Sequence, residues 1–305
     1  MGMIDVGEKQ ESQRIATAQA LVFTDSNVID KIKDGNSPKG NIFEAAKISA
    51  TIGVKKTFEL IPYCHLIPID GIKVDFAIGQ NFIKILVTVN SVWKTGVEME
   101  ALTGASIAAL TIYDMLKPMD ELLRIESIKI LKKQGGMKDF NEKNNIGKNL
   151  KAVVIVVSDT RTIEQDKSGK LIVNTLSKKG FEIYDYKVLS DELKIIQEEL
   201  IKYCDKLNID IIITTGGTGI GPRDVTPEAT KKIIEKEING VVENLRGYGQ
   251  QRTPLSMLSR GVAGIRGKTI IINLPGSVNA VSQSLGALFP GIMHAFKMIA
   301  GHGHK

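Results

Sequence analysis

An acidic and a basic side chain near residue 115 stand at a spacing that lets them act together. Asp114 and Lys117 are three residues apart at the end of residues 97–116, which are nearly all apolar or small and predict one long buried helix. Residues three apart share a helix face, so the two charges can pair. Such a pair suits proton transfer beside a phosphate, and a plain ion pair at the helix end is the alternative.

Further polar groups lie in the same half of the chain. Lys39 precedes a helical pattern, His65 follows a proline in an apolar region, and Glu98 and Glu100 flank Met99 at the start of the long helix. A lone histidine is more often a satisfied core residue than a catalyst. One imidazole, several lysines and a buried carboxylate together nevertheless offer phosphate binding with general acid and base chemistry.

A glycine-rich segment marks the second half. Residues 216–219 (Gly-Gly-Thr-Gly) follow an apolar strand pattern and precede a helix for which Thr226 is the expected N-cap and Pro227 lies in the first turn. Backbone N–H groups and the helix dipole at such a junction favour an anion. The segment is neither a Walker loop nor a G-x-G-x-x-G motif, and an ordinary tight turn is about as common an explanation.

Polar residues also end the other strand patterns of this half. Ser158 and Asp159 follow the first strand, Asp191 follows the second, and Pro275 to Ser277 follow the last. The ligand crevice of an open α/β sheet lies at the carboxyl ends of its strands, so these segments are expected to meet there. Asp191 and Asp224 beside bound phosphates would repel them unless Mg²⁺ lay between, which predicts a magnesium site.

The elements that must position these groups differ between the two halves. Residues 71–76 and 81–89 predict paired strands, which with helix 97–116 indicate an α+β domain. Strands expected at 152–157, 181–188, 209–215 and 268–274 alternate with helices and are largely apolar on both faces, which is typical of a doubly wound α/β domain. The polar segment 141–149 predicts the linker, giving domains 1–146 and 147–305.

Composition excludes several classes of protein. The 305 residues are 43% hydrophobic and 24% charged, which excludes a disordered, collagenous or disulfide-framework chain. The net charge is +6 and the sequence has no long basic run, so small anionic ligands are favoured over nucleic acid. Two distant cysteines, no apolar stretch of membrane length and no signal peptide lead us to expect a soluble cytoplasmic protein without a membrane partner.

Residues 3–140 resemble cyclic pyranopterin monophosphate synthase of molybdenum cofactor synthesis, most specifically in residues 60–65, 94–103 and 110–117. The resemblance implies a ferredoxin-like fold in hexamers and a lyase that converts a cyclised dihydro-GTP to cyclic pyranopterin monophosphate with release of pyrophosphate, without a tightly bound cofactor. It makes Asp114, Lys117 and Lys39 catalytic. It places in the substrate pocket Arg14, Cys64, His65, Glu98, Met99, Glu100 and Lys133.

Residues 151–300 resemble the molybdopterin adenylyltransferase family, through residues 216–219, 222–227 and 275–277. The resemblance implies transfer of AMP from MgATP to molybdopterin, with Asp191 and Asp224 catalytic and next to Mg²⁺. The implied ligand contacts are Ser158, Asp159, Gly216, Gly217, Thr218, Gly219, Thr226, Pro275, Gly276 and Ser277. The alternative is a pterin-binding or scaffolding module without turnover. Asp191 and Asp224 argue against this alternative, because binding alone does not require two acids next to phosphate.

Together the two resemblances predict a bifunctional enzyme of molybdenum cofactor biosynthesis. Both families imply three-fold association, so we expect a homo-oligomer, either a trimer or a hexamer. Small-molecule substrates and other enzymes of the same pathway are the expected partners.

Overall fold

The computed structural model describes residues 2–136 and 150–301. The chain divides into two compact units, residues 1–140 and 141–305. The expected boundary between residues 146 and 147 lies outside the described residues.

The first unit is a four-stranded antiparallel sheet with helices. Its sheet order is β2-β3-β1-β4. The elements are β1 Ser12–Phe23, α1 Ser26–Lys33, α2 Ile42–Lys55, α3 Thr57–Leu60, β2 Gly71–Ile78, β3 Phe82–Trp93, α4 Glu98–Leu116 and β4 Arg124–Gln134. The long helix and both expected strands are therefore confirmed. Assignment to the ferredoxin-like class stays a prediction.

Alternation along the strands decides which face of this sheet is buried. In β3, Ile83, Ile85, Val87 and Val89 are fully buried while the residues between them are partly exposed. Helix α4 packs closely because it presents small residues, and a Cβ at Gly104 would lie 2.7 Å from Val54 of α2. The same Cβ would lie 3.1 Å from Val87 of β3, so α4 packs closely against both α2 and the sheet.

The second unit is a six-stranded sheet in the order β6-β5-β7-β10-β9-β8, in which the first four strands are parallel. Its elements are β5 Lys151–Val157, α5 Ser168–Lys178, β6 Glu182–Leu189, α6 Leu193–Ile201 with a π-helical turn Lys202–Lys206, β7 Ile211–Thr215, α7 Thr226–Lys231, β8 Lys236–Glu237, α8 Asn239–Gln250, a 3-10 turn Pro254–Leu258, β9 Ala263–Arg266, β10 Thr269–Leu274, α9 Val278–Leu288 and α10 Met293–Ile299.

Both faces of this sheet are covered, so the unit has three layers. Along β5, Ala152 and Val154 pack into one apolar cluster, and Val153, Ile155 and Val157 pack into another on the opposite face. The four expected strands are confirmed. The two short antiparallel strands β8 and β9 were not predicted.

One expectation about helix α7 is wrong. Thr226 is the first helical residue and Val225 is the N-cap, without a capping side chain. The Thr226 hydroxyl donates instead to the carbonyl oxygen of Gly216 at 3.0 Å, and its backbone N–H donates to Gly217. Thr226 therefore ties the helix back onto the glycine loop, which a local capping rule does not anticipate.

Candidate active sites

Two lysines form ion pairs with one carboxylate at the carboxyl end of α4. Lys117 Nζ lies 2.8 Å from Asp114 Oδ1, and Lys39 Nζ lies 2.7 Å from Oδ2 and also donates to the Asp114 carbonyl oxygen at 2.9 Å. Lys39 reaches this point from the segment before α2, whose N-cap Asn41 accepts from Phe43 and Glu44 N–H groups. The expected pair is therefore a cluster of three charges, half exposed to solvent.

The charges in this cluster hold each other ionised. Hydrogen bonds from Lys117 and Lys39 lower the pKa of Asp114 to about 2, and the same contact with Asp114 raises the pKa of Lys117. In this arrangement Asp114 is a weak base, and the ammonium groups are available as proton donors and as fixed positive charges.

A cavity of about 360 Å³ lies at the other end of α4 and contains most of the expected pocket residues. Glu100 is only 3% exposed there, and its Oε2 has no hydrogen-bond partner within the described part of the chain. Burial raises the pKa of Glu100, and the negative charge of Glu98 also raises it. A hydrogen bond from the backbone of Glu100 has an opposing effect that is smaller than that of burial. The same cavity is lined by Cys64, His65 and Met99.

The amino-terminal segment fixes the histidine of this cavity. The Ile4 carbonyl oxygen lies 2.8 Å from His65 Nε2. Because a carbonyl can only accept, Nε2 is the donor in this hydrogen bond. Ile4 also lines the cavity, together with Gly2, Val6 and Lys9.

Two more expected pocket residues border the same end of the helix. Lys133 on β4 lies 3.8 Å from the Glu98 carboxylate. Arg14 on β1 donates to the carbonyl oxygens of Trp93 and Lys94, so it supports the segment that leads into α4.

The two groups of residues do not meet within one chain. Glu98 and Asp114 are sixteen residues apart on a single continuous helix. At 1.5 Å per residue their backbones are about 24 Å apart along the axis. The cavity and the lysine cluster therefore lie at opposite ends of α4.

In the second unit the expected strand-end segments do come together. The Asp191 carboxylate accepts the Asp159 N–H at 3.0 Å, and Asp159 accepts the Asp191 N–H at the same distance. The Ser158 N–H donates to Leu189, and the Thr215 hydroxyl donates to the Pro275 carbonyl at 2.7 Å. The carboxyl edge of the parallel sheet thus carries one continuous site.

The glycine loop within this edge can be built only from glycine at two positions. Gly216 has φ +100° and Gly217 has φ +60°. A Cβ at Gly216 would collide with the Val157 carbonyl oxygen, and one at Gly217 would collide with the Thr226 hydroxyl. The Gly216 N–H donates to the Leu274 carbonyl oxygen at 3.2 Å, so the N–H groups of this loop that can face an anion are those after Gly216.

Both expected acids border this loop. A Cβ at Gly217 would lie 3.0 Å from Asp191 Oδ1, and one at Gly219 would lie 2.9 Å from Asp224 Oδ2. Burial raises the pKa of Asp191, and the neighbouring charges of Asp159 and Asp224 raise it further. Arg223 binds Asp159 at 2.8 Å and Glu192 at 3.0 Å, and so neutralises part of this negative charge.

A cavity of about 510 Å³ adjoins the loop that follows β10. Pro275 and Ser277 belong to its wall, and Arg246 and Arg252 contribute positive charge. Ser277 also caps α9 by accepting the Ala280 N–H. Gly276 approaches the glycine loop, since a Cβ there would lie 3.3 Å from the Gly216 Cα atom.

Several site residues escaped the sequence analysis. Ile4 and Lys9 lie in the first cavity, and Arg223 and Arg260 contact the glycine loop or its acids. Arg223 lies within the motif of residues 222–227, but the motif assigns no role to it. Arg260 has no local pattern that could have revealed it.

The fold and the two sites define the chain as a fusion of two domains of molybdenum cofactor biosynthesis. Residues 3–136 match the family model described as "MoaC family", and residues 153–294 match the one described as "Probable molybdopterin binding domain". The "Molybdenum cofactor biosynthesis bifunctional protein" of Chlorobaculum tepidum is 36% identical over 99% of this chain and 96% of its own length. The protein of that name from Synechococcus elongatus is 35% identical over 99% and 98%.

The chain therefore belongs to the family of bifunctional molybdenum cofactor biosynthesis proteins. Its first unit is also 48% identical to the "Cyclic pyranopterin monophosphate synthase" of Xanthomonas campestris pv. campestris, over 45% of this chain and 86% of that protein.

Two features are absent from residues 2–136 and 150–301. Neither unit has a helix there with the length and apolar character of a membrane span. No set of three or more histidine, cysteine, aspartate or glutamate side chains converges there to hold a metal ion. Cys64 and Cys204 are both free thiols.

Proposed function

We propose that the first unit converts a cyclised dihydro-GTP into cyclic pyranopterin monophosphate and pyrophosphate. The observation that carries the proposal is Glu100, a buried carboxylate whose Oε2 lacks a hydrogen-bond partner in the described residues. A buried acceptor without a donor is costly. A guanine-derived ring supplies adjacent N–H and NH₂ donors that match such a carboxylate.

The lysine cluster suits the other end of this substrate. Formation of the cyclic phosphate requires attack of a substrate hydroxyl oxygen on the α-phosphorus. The bond from the α-phosphorus to the oxygen that bridges it to the β-phosphate breaks as pyrophosphate leaves, and the hydroxyl proton passes to the departing pyrophosphate or to water. Lys39 and Lys117 supply positive charge for the departing anion, and Asp114 holds both ammonium groups in place. This arrangement needs no tightly bound metal ion.

The separation of the two clusters supports a site that is shared between two copies of the chain. A span of about 24 Å along α4 exceeds the reach of a nucleotide triphosphate bound compactly in one pocket. Helices α2 and α4 expose apolar side chains that a second copy can cover. They include Ile48 and Ile52 on α2 and Leu110 on α4. We propose that the lysine cluster of one copy faces the Glu100 cavity of another.

For the second unit we propose transfer of AMP from ATP to the terminal phosphate of molybdopterin. A phosphate oxygen of the pterin attacks the α-phosphorus of ATP, the new P–O bond forms, and pyrophosphate departs. The nucleophile is already an anion at neutral pH, so Asp191 and Asp224 are not required as proton acceptors. The glycine loop offers N–H groups for phosphate oxygens, and the adjoining cavity of about 510 Å³ has room for the pterin ring.

Magnesium fits the acids next to the loop. Asp191 has a raised pKa because burial and the charges of Asp159 and Asp224 disfavour its ionised form, and a divalent cation relieves that crowding. Asp191 and Asp224 would hold the ion, with phosphate oxygens and water as the remaining ligands. Bound there, Mg²⁺ would neutralise charge on the nucleotide phosphates. Two acids next to phosphate also argue against a module that only binds pterin.

One experiment tests both reactions. The full chain is incubated separately with the cyclised dihydro-GTP and with ATP plus molybdopterin, and pyrophosphate release is followed with Mg²⁺ and with EDTA. We expect both reactions with Mg²⁺, loss of adenylylation in EDTA, and much weaker slowing of the first reaction. Asp224→Ala should remove adenylylation alone. Adenylylation that survives EDTA or Asp224→Ala would contradict the second assignment, and absence of the first reaction would contradict the first.

A further inference from the structure

Arg260 lies outside residues 216–224, the segment that holds the glycine loop and the second acid, but binds this segment at three points. Its Nε donates to the Gly219 carbonyl oxygen at 2.6 Å, and its Nη2 donates to the Asp224 carbonyl oxygen at 2.6 Å. Its own backbone N–H donates to the Thr218 carbonyl oxygen at 2.9 Å. Three carbonyl groups of the segment that carries the glycines and the second acid therefore turn toward one residue.

Glu228 on α7 completes this arrangement. Its carboxylate accepts from Nη1 of Arg260 and, at 3.5 Å, from Nη2. Burial raises the pKa of Glu228, but the hydrogen bond from Arg260, the backbone hydrogen bond of Glu228 and the charges of Arg260 and Lys231 together lower it below its ordinary value, so the carboxylate is charged at neutral pH. Both side chains are part-exposed, at 38% and 44%, so the ion pair by itself adds little stability.

Each carbonyl group that binds Arg260 also fixes the direction of the N–H group in its own peptide unit. A trans peptide is planar, and its C=O and N–H point in opposite directions. When the carbonyl oxygens of Thr218, Gly219 and Asp224 face Arg260, the N–H groups of the same peptide units face away from it. These N–H groups belong to Gly219, Ile220 and Val225. The planar guanidinium fork can hold two such carbonyls and a carboxylate at once, which a lysine ammonium cannot do with the same orientation.

We propose that Arg260 and Glu228 form a clamp that positions the glycine loop so that its N–H groups bind the phosphates of the reactants. Arg260 is a positioning residue, since its donors are directed at protein oxygens. The inference rests on the proposed adenylylation and adds two residues that neither the motif nor the acids identify. The phosphate in question belongs either to ATP or to molybdopterin, and the kinetic test distinguishes the two.

The first test needs no substrate. Amide hydrogen exchange is measured across residues 214–226 of the full chain for wild type, Arg260→Lys and Glu228→Gln. Losing hydrogen bonds to a charged group should speed exchange in this segment by about tenfold or more. The matched control is Arg266→Lys, because Arg266 also binds a carboxylate, that of Asp205, and a carbonyl oxygen, that of Ile233, away from the loop. Unchanged exchange in both clamp variants overturns the proposal.

The second test separates positioning from a general loss of structure. Steady-state kinetics of adenylylation should show a KM raised about tenfold or more for ATP, for molybdopterin, or for both, in Arg260→Lys. Glu228→Gln, which keeps an acceptor oxygen, should be affected less than Glu228→Ala. Added methylguanidine should partly restore Arg260→Ala. If the wild type adenylylates and Arg260→Lys keeps both KM values, the clamp is wrong. If the wild type fails to adenylylate, the proposed function is wrong, and exchange alone decides the clamp.

Discussion

Glu100 and Asp114 show how surroundings give two carboxylates on one helix different properties. Glu100 is buried, without a donor for its Oε2 among the described residues, and its pKa is raised. Asp114 is half exposed between two ammonium groups, and its pKa falls to about 2. Glu100 is therefore suited to recognising a donor-rich ring, and Asp114 to holding positive charge in place.

The sign of the Asp114 shift sets its pH range. A carboxyl whose pKa is lowered by folding contributes its ion pairs above its ordinary pKa near 4 and loses them as the pH falls toward 2. The lysine cluster therefore stays intact across the physiological range, and titration of Asp114 should not shape the activity profile between pH 5 and 8.

Removing either partner of the pair should affect only the first reaction. We expect Lys117→Ala and Asp114→Asn to slow pyrophosphate release from the cyclised dihydro-GTP by ~10²–10⁴-fold, because a positioned acid and its counter-charge are lost. Adenylylation should be unchanged. The matched control is Lys33→Ala, which breaks the Lys33–Asp30 pair at the same three-residue spacing on α1. Near-normal turnover of Lys117→Ala would show that the ion pair has only a structural role at the end of α4.

At the scale of elements, the second site depends on the junction of β7, the glycine loop and α7. Gly216 approaches the Val157 carbonyl, Thr226 fastens the helix to the loop, and Arg260 fixes the loop carbonyls. Each contact joins the loop to a different element. The conformation is therefore set by the surrounding sheet and helix as well as by the glycines.

Gly216→Ala should disable this junction. A left-handed backbone costs a residue with a Cβ roughly 1–2 kcal/mol, and here the added carbon also meets the Val157 carbonyl. Adenylylation should be lost while the first reaction persists. Gly180→Ala is the matched control, because Gly180 has φ +92° but open space around the new Cβ. Equal adenylylation by the two variants would mean that the loop backbone is not critical.

At the scale of the whole molecule, the proposed first reaction requires association of two copies, because Glu100 and Asp114 lie near opposite ends of α4. A two-fold interface is reciprocal, so two copies joined through it form two equivalent composite sites. The three-fold association implied by both family resemblances remains a prediction, and a hexamer with two-fold and three-fold axes satisfies both requirements.

Complementation tests the composite site directly. Glu100→Gln and Asp114→Asn should each be inactive in the first reaction, yet co-expressed copies should recover about a quarter of the wild-type activity, because random pairing leaves one site in four intact. Either variant alone provides the baseline. Mixed oligomers with no recovered activity would place the whole site within one chain, and sedimentation of the wild type as a monomer would exclude both association and composite sites.

The sequence by itself determined the elements and motifs whose signals are local. Residues 97–116 predicted α4, the apolar runs predicted the four parallel strands, and residues 216–219 marked the glycine loop after β7, because periodicity and glycine spacing act over a few residues. Tertiary structure decided contacts between distant segments. Lys39 meets Asp114 from 75 residues away, and Arg260 reaches Gly219 from 41. No local pattern encodes such distances, since they arise only when packed layers bring separate strand and helix ends together.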